Sequence, residues 1–270
     1  QSKILRYGNP TGSLSKYVEG ELIGNIYGYT TIGIAKTDEE MQQHLASLPN
    51  GGQSALGSQW AAGDIMYADL NGDGKINNGS YTINDMGDMK KIGNSTPRFM
   101  TGINLDAAYK GWDLQMFWQG VLKRDWWPGD KNMTFWGVTD GEWWSTSFKE
   151  HLDYFRTSEN PLGENLNSYY PRPIFNTKNN KSHTRYLQNA AYMRLKNIQV
   201  GYTFPKVWIN KLMLQNLRIF VSGENLLTIT SLSDTMDPET CGAGYQSTEQ
   251  ANGTVYPLAK TISFGLSVNF

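Results

Sequence analysis

Thr261-Ile262-Ser263-Phe264-Gly265-Leu266-Ser267-Val268-Asn269-Phe270 is the stretch on which the fold turns. Ile262, Phe264, Leu266, Val268 and Phe270 alternate with small or polar residues in an unbroken period of two, the signature of a strand with two unlike faces. A strand over a soluble core would alternate in the same way, so the pattern alone admits a sandwich edge. A sequence that stops on an aromatic residue, without a polar tail, suits a transmembrane barrel better, and Phe270 is read as the outer-membrane barrel-assembly signal.

Working backwards, the alternation recurs. Leu217, Ile219 and Val221 share a face in a strand from about Asn216 to Thr230. Ile198, Val200, Tyr202 and Phe204 mark another, stopped by Pro205, which has no N–H to give to a ladder. Between Phe99 and Trp118, Thr101, Ile103, Leu105 and Ala107 face one way before a tight turn at Tyr109-Lys110-Gly111, and Trp112, Leu114, Met116 and Trp118 return on the same face. A weaker ascending strand is expected between Tyr17 and Ile34, giving about six. If Phe270 is periplasmic, the short connections at Lys110 and from Pro205 to Gln215 fall on the periplasmic side. The long ones, from about Lys123 to Ala190 and from Ser231 to Pro257, fall outside, which is the asymmetry of outer-membrane barrels. The expected fold is therefore all-β, the C-terminal portion of a large antiparallel transmembrane barrel with long extracellular loops. Six strands are too few to close one of that size.

Composition agrees. Across 270 residues the net charge is −1 and no Lys/Arg-rich run occurs, so the chain as a whole carries no footprint for nucleic acid or for an anionic membrane surface. Mean hydropathy is −0.51, conventionally a soluble value. In a barrel, however, only alternate residues meet lipid, and aromatic girdles raise the aromatic share, here 13 % with nine Trp and fifteen Tyr. The single cysteine, Cys241, excludes an intrachain disulfide framework. The start at Gln1, without initiator Met or signal peptide, leads us to expect a piece of a longer product whose plug and first barrel strands lie elsewhere.

Within the loops, Thr37 and Glu40 make a capping box ahead of Met41, His44, Leu45 and Leu48 at helical spacing, ended by Pro49-Asn50-Gly51-Gly52. Trp144, Phe148, Leu152 and Phe155 repeat that spacing and are expected to pack the long outer loop onto itself. The most specific motif runs from Asp69 to Asn77. Asp69, Asn71 and Asp73 occupy positions 1, 3 and 5, Gly74 the sharp turn at 6, Lys75 the backbone-carbonyl position 7 and Ile76 the apolar position 8 of a calcium loop. Position 12 is Ser80 and not Glu, so the last ligand must come from elsewhere. Asp88 is preferred, with Asp85 and Ser80 as alternatives, and residues 63–88 are read as an extracellular calcium-binding segment. An Asx-Gly turn without an ion is the bland reading. Trp126, Trp127, Trp136, Trp143 and Trp144 crowd the outer loop and are candidate substrate-binding residues, with loop core as the alternative. His44, His151 and His183 match no metal spacing and are read as surface residues. Gly242-Ala243-Gly244 is read as a loop and not a dinucleotide site. No carboxylate pair picks out a general acid and base, so no enzyme is expected.

These residues taken together resemble the C-terminal part of SusC/RagA-type TonB-linked outer membrane proteins, the nutrient importers of Bacteroidetes. The carrying segments are Tyr17-Val18-Glu19-Gly20, Ile26-Tyr27-Gly28-Tyr29, Gly63-Asp64-Ile65 leading into the Asp69 loop, Ile92-Gly93-Asn94-Ser95-Thr96-Pro97, Tyr192 to Ile198, Ser222-Gly223-Glu224-Asn225-Leu226 and Ser263-Phe264-Gly265-Leu266. The resemblance implies a 22-stranded barrel in the outer membrane, a plug and TonB-contacting segment absent from this sequence, energised import of oligosaccharides or peptides, and a SusD-like surface lipoprotein as lid. The alternative from another class is a calcium-stabilised surface glycan-binding protein or adhesin.

Overall fold

The structure, a computed structural model, describes residues 2–241 and 258–270. The Gly242-Ala243-Gly244 loop and most of the connection from Ser231 to Pro257 lie outside the described residues. The chain divides into two compact units: one holds 2–96, 125–189 and 233–241, the other 97–124, 190–232 and 258–270.

The second unit is a single antiparallel sheet of five strands: Arg98–Tyr109, Trp112–Lys123, Tyr192–Thr203, Asn216–Thr230 and Thr261–Asn269. The first two are joined by Lys110 and Gly111, both at positive φ (48° and 88°), the two-residue hairpin turn whose twist matches its strands. Register turns the alternation into rows, because residues paired across an antiparallel ladder point to the same face. Tyr109, Trp112, Tyr202, Ile219 and Leu266 form one row. Ala107, Leu114, Val200, Val221 and Phe264 form the next, and Leu105, Met116, Ile198, Gly223 and Ile262 the third. Between them, on the opposite face, run Ala108, Asp113, Gly201, Phe220 and Gly265, then Asp106, Gln115, Gln199, Ser222 and Ser263.

The apolar rows are uncovered: Ile262 is 62 %, Phe264 81 % and Leu266 65 % exposed, with Leu105, Trp112, Val200, Ile219 and Val221 exposed beside them. In water each such side chain would forgo about 1.5–3 kcal/mol of burial. Against hydrocarbon nothing is forgone, and strands of nine to fifteen residues are long enough to cross a bilayer. No helix among the described residues is long and apolar enough to cross a membrane.

The polar face has its own packing. Arg218 pairs with Asp113 at 2.5 Å and lies over the Phe220 ring at 4.9 Å. This bridge passes over Gly201, where a Cβ would stand 2.4 Å from the Arg218 guanidinium, so any side chain there would push the Arg218–Asp113 pair aside. Phe220 covers Gly265 in the same way.

The other unit is loop-rich. Asn25–Tyr29 pairs with Met89–Asn94, Thr31–Ile34 with Ile65–Tyr67 and Asp125–Trp126 with Gln188–Asn189. The strand expected between Tyr17 and Ile34 therefore exists as two short pieces that do not join the long sheet; Tyr29, Ile34 and Ala35 turn into this unit's own core instead. The capped helix forms as expected over Asp38–Ala46, with Thr37 Oγ1 accepting from the Glu40 N–H and Met41 fully buried. The spacing of Trp144, Phe148, Leu152 and Phe155 yields only a short 3-10 turn at Lys149–Leu152. Phe155 alone of the four is buried, so these residues do not pack the loop as a helix would.

Candidate functional site

Asp69 Oδ1 accepts from the Gly72 N–H (2.6 Å) and Oδ2 from that of Gly74 (2.9 Å). Asn71 accepts from Asp73 and Asp73 from Lys75. These side chains wind the backbone with their oxygens turned into the loop, and Gly72 and Gly74 supply positive φ at the bends. Buried Asp88 fastens both ends, Oδ1 accepting from Leu70 (2.9 Å) and Oδ2 from Asn77 (2.8 Å). Asp85 is taken up with Ser80, whose N–H and hydroxyl it accepts at 2.8 and 2.7 Å. Of the three candidates for the last ligand, Asp88 is thus the one that touches the loop. Asn50 holds the loop from outside, its Nδ2 donating to the Asp73 carbonyl at 2.6 Å, while Ile76 is buried beneath.

Burial works to raise the Asp69 carboxyl, but the N–H groups of Gly74 and Gly72 and the neighbouring Asp88 outweigh it and hold it below the usual range. Burial raises Asp88, against the pull of the Asn77 and Leu70 N–H groups, and the Asp69 charge adds to the rise. The donor set is all oxygen, which suits calcium, and two neighbouring carboxylates fit a divalent cation. Among the described residues no three His, Cys, Asp or Glu side chains stand together as a metal cluster, so Asp69, Asp73 and Asp88 would have to draw together around an ion, with the Asn71 amide and the Lys75 carbonyl completing its oxygen set.

The five tryptophans do not form one surface. Trp126 and Trp136 are buried in an aromatic core with Phe135, Tyr170 and Tyr186, where no ring face is open to a ligand. Trp127 is half-buried, edge-on to Trp136. Trp143 and Trp144 are exposed and pack edge to face at 5.2 Å. Loop core accounts for the buried rings, and a ligand surface is open only to the exposed pair.

His151 and His183 are not on the surface. His183 is wholly buried between Thr31 Oγ1 (2.6 Å) and the Asn179 carbonyl (3.2 Å), against Tyr67 and Tyr186, and this desolvation pushes its ring down to about 3. His151 contacts Tyr170 and Phe148. Both sit in polar gaps of the aromatic core, which spacing along the sequence does not reveal.

A further cluster centres on Asp64 of the Gly63-Asp64-Ile65 segment. Arg172 (2.8 Å), Lys178 (2.7 Å) and Asn179 (2.9 Å) converge on its buried carboxylate, and Lys178 also lies 4.5 Å over the Trp60 ring. Burial opposes the charge on Asp64, yet Arg172, Lys178 and Asn179 together hold it below the usual carboxylate range. Gly63 adopts φ 84°, and a Cβ there would strike Phe155 and Arg172. The segment is a hub joining stretches more than a hundred residues apart.

No family model matches the chain. Among curated proteins it is 30 % identical over 260 residues to TonB-dependent receptor P3 of Formosa agariphila and 24 % identical over 283 residues to TonB-dependent receptor P39 of the same organism. Each alignment covers 93 % of this chain. The chain is similar to TonB-dependent receptors over nearly its whole length. It spans about a quarter of the length of those receptors, 22 % and 25 %. Of solved structures, it matches the RagAB peptide transporter with TM-score 0.59 at 20 % identity, over 99 % of this chain and 24 % of that one. It matches the RagAB peptide importer in its "open-open" state with TM-score 0.54 at 19 % identity, over 98 % and 24 %. At such identities the structures speak for the fold alone. The resemblance read from the sequence is shown, and its segments acquire physical meaning. Gly223-Glu224-Asn225-Leu226 makes a β-bulge, with Asn225 at φ 53° and a register shift between Glu224 and Leu227. Asn94 ties Asn25 and the Ile23 carbonyl together at the start of the short ladders.

Proposed function

We propose that this chain is part of the wall of an outer-membrane, TonB-energised importer, the C-terminal portion of a closed barrel that works with a SusD-like surface lipoprotein. The observation that carries this reading is the sheet with exposed apolar rows on one face and Asp113, Gln115, Gln199 and Arg218 on the other. That is the arrangement of a strand layer between hydrocarbon and a watery lumen. The same exposed rows weigh against a soluble adhesin, which would have to bury them. In this reading the hairpin at Lys110 and Gly111 is periplasmic, as is the C-terminal end of the last strand, and the loop-rich unit is extracellular. Further strands, a plug and a TonB-contacting segment belong to the rest of the longer protein.

The cargo is an oligosaccharide or a peptide. Exposed Trp143 and Trp144 are its candidate contacts in this chain. Calcium is the structural cofactor, held by Asp69, Asn71, Asp73, the Lys75 carbonyl and Asp88, and its part is to pin an outer loop. The test is uptake of labelled peptides and oligosaccharides by cells carrying or lacking the full-length protein, with and without TonB. Energy-dependent uptake of one class, lost on deletion, supports the proposal. Equal uptake in all four strains overturns it.

A further inference from the structure

We infer that the turn edge of the sheet is a headgroup site for anionic phospholipid, formed by Lys206 and Lys211 around Trp208. The inference rests on the membrane reading above and adds a ligand to it. Pro205 caps a short helix, Lys206–Ile209, which runs on into a 3-10 turn, Asn210–Leu212. Ile209 points inward and is buried, whereas Val207, Trp208 and Met213 are 78 %, 61 % and 87 % exposed. These side chains extend the apolar rows. Trp112 meets Tyr202 at 4.9 Å with the rings tilted, Tyr202 meets Phe204 at 5.1 Å and Phe204 meets Trp208 at 6.4 Å. A ladder of rings thus leads from the row facing hydrocarbon to the short helix without a break. Whatever covers the rows also reaches Trp208, and that continuity selects the membrane over a protein partner.

Charge selects the headgroup. The connection from Phe204 to Gln215 holds Lys206 and Lys211 and no acidic residue, and the neighbouring hairpin turn adds Lys110. The nearest acidic side chain along the strands, Asp113, belongs to the opposite face and is engaged by Arg218. Trp at the boundary, with an apolar ring and one N–H donor, and lysines that reach past it are the side chains that seat a phosphate beside acyl chains. Lysines near an anionic bilayer add attraction that falls off within a Debye length.

The test uses the full-length protein in nanodiscs of phosphatidylcholine alone or with a minority of phosphatidylglycerol, counting retained lipid by native mass spectrometry. The unaltered protein should retain phosphatidylglycerol selectively. Lys206→Gln with Lys211→Gln should cut that retention about tenfold and weaken its salt dependence, Lys110 alone remaining at the edge, whereas Lys36→Gln in the other unit should leave it unchanged. Trp208→Ser should lower retention of both lipids. Equal phosphatidylglycerol retention by the double variant and the unaltered protein overturns the site. So does displacement by lipid A in preference to phosphatidylglycerol, which would assign the edge to the outer leaflet. Failure of the unaltered protein to enter nanodiscs would instead sink the membrane reading itself.

Discussion

The two units of this chain handle large side chains in opposite ways. In the five-stranded sheet Phe264, Ile262 and Trp112 stand in the open and polar groups pair on the other face. In the loop-rich unit Trp136, Tyr67, Phe135 and Tyr186 are wholly buried, and the charged pair Asp64 and Lys178 is buried among them. A single aqueous solvent would not favour both arrangements. The sheet follows the rules of a surface bathed in hydrocarbon, while the loop unit follows those of a protein that must shelter its aromatic surface from water.

The largest effect should come from breaking the loop unit's buried charge. Asp64→Ala leaves Lys178 without its counter-ion and should cost roughly 3–5 kcal/mol, read as earlier thermal loss of Trp60 and Trp136 fluorescence with the sheet's barrel signal retained. Next, Val221→Arg on the exposed rows should destabilise the folded protein in bilayers by about 2–4 kcal/mol, whereas Ser222→Arg on the opposite face should cost far less. Equal costs would erase the contrast between the faces. Acid should then separate the units. Burial pushes His183 down to about 3, so on acidification below about 6.5 the unfolded chain takes up a proton that the folded ring refuses. Loop-unit stability should fall as pH drops toward 4, by up to about 1.4 kcal/mol per pH unit from this group, and His183→Gln should flatten that slope. Calcium should have the smallest effect and only in the loop unit. Removing it should lower the loop unit's melting temperature by a few degrees, and Asp88→Asn should weaken terbium binding, while Asp85→Asn should not.

The sequence carries these two regions unequally. The alternation at Ile262, Phe264 and Leu266, the turn at Lys110-Gly111 and the stop at Pro205 are local, so the strands and their faces could be read directly, whereas the register between strands, with its shifts at Glu224/Leu227 and Phe117/Trp118, could not. The loop unit is made of contacts across distance. Asp64 meets Arg172 and Lys178 from more than a hundred residues away, and the tyrosines that bury His183 have no period to betray them. The Asp69 loop was legible because its oxygens sit at fixed spacing. Its closure by Asp88, and not Asp85, was open in the sequence because both follow at similar distance, and it was the backbone that distinguished them. Splitting the strand sought between Tyr17 and Ile34 needed the Met89–Asn94 partner, which no local pattern announces.

The central claim is that alternate residues of the sheet face hydrocarbon. It is tested most directly by spin labels placed singly at Leu217, Ile219, Val221, Ser222 and Phe220, and at Phe264 and Ser263, with Cys241→Ser as background, in the full-length protein reconstituted into bilayers. Collision with oxygen and with a water-soluble nickel reagent is then compared. The account predicts high oxygen and low nickel access at Leu217, Ile219, Val221 and Phe264, with the reverse at Phe220, Ser222 and Ser263. Nickel access at Phe264 and Val221 as high as at their neighbours would contradict it.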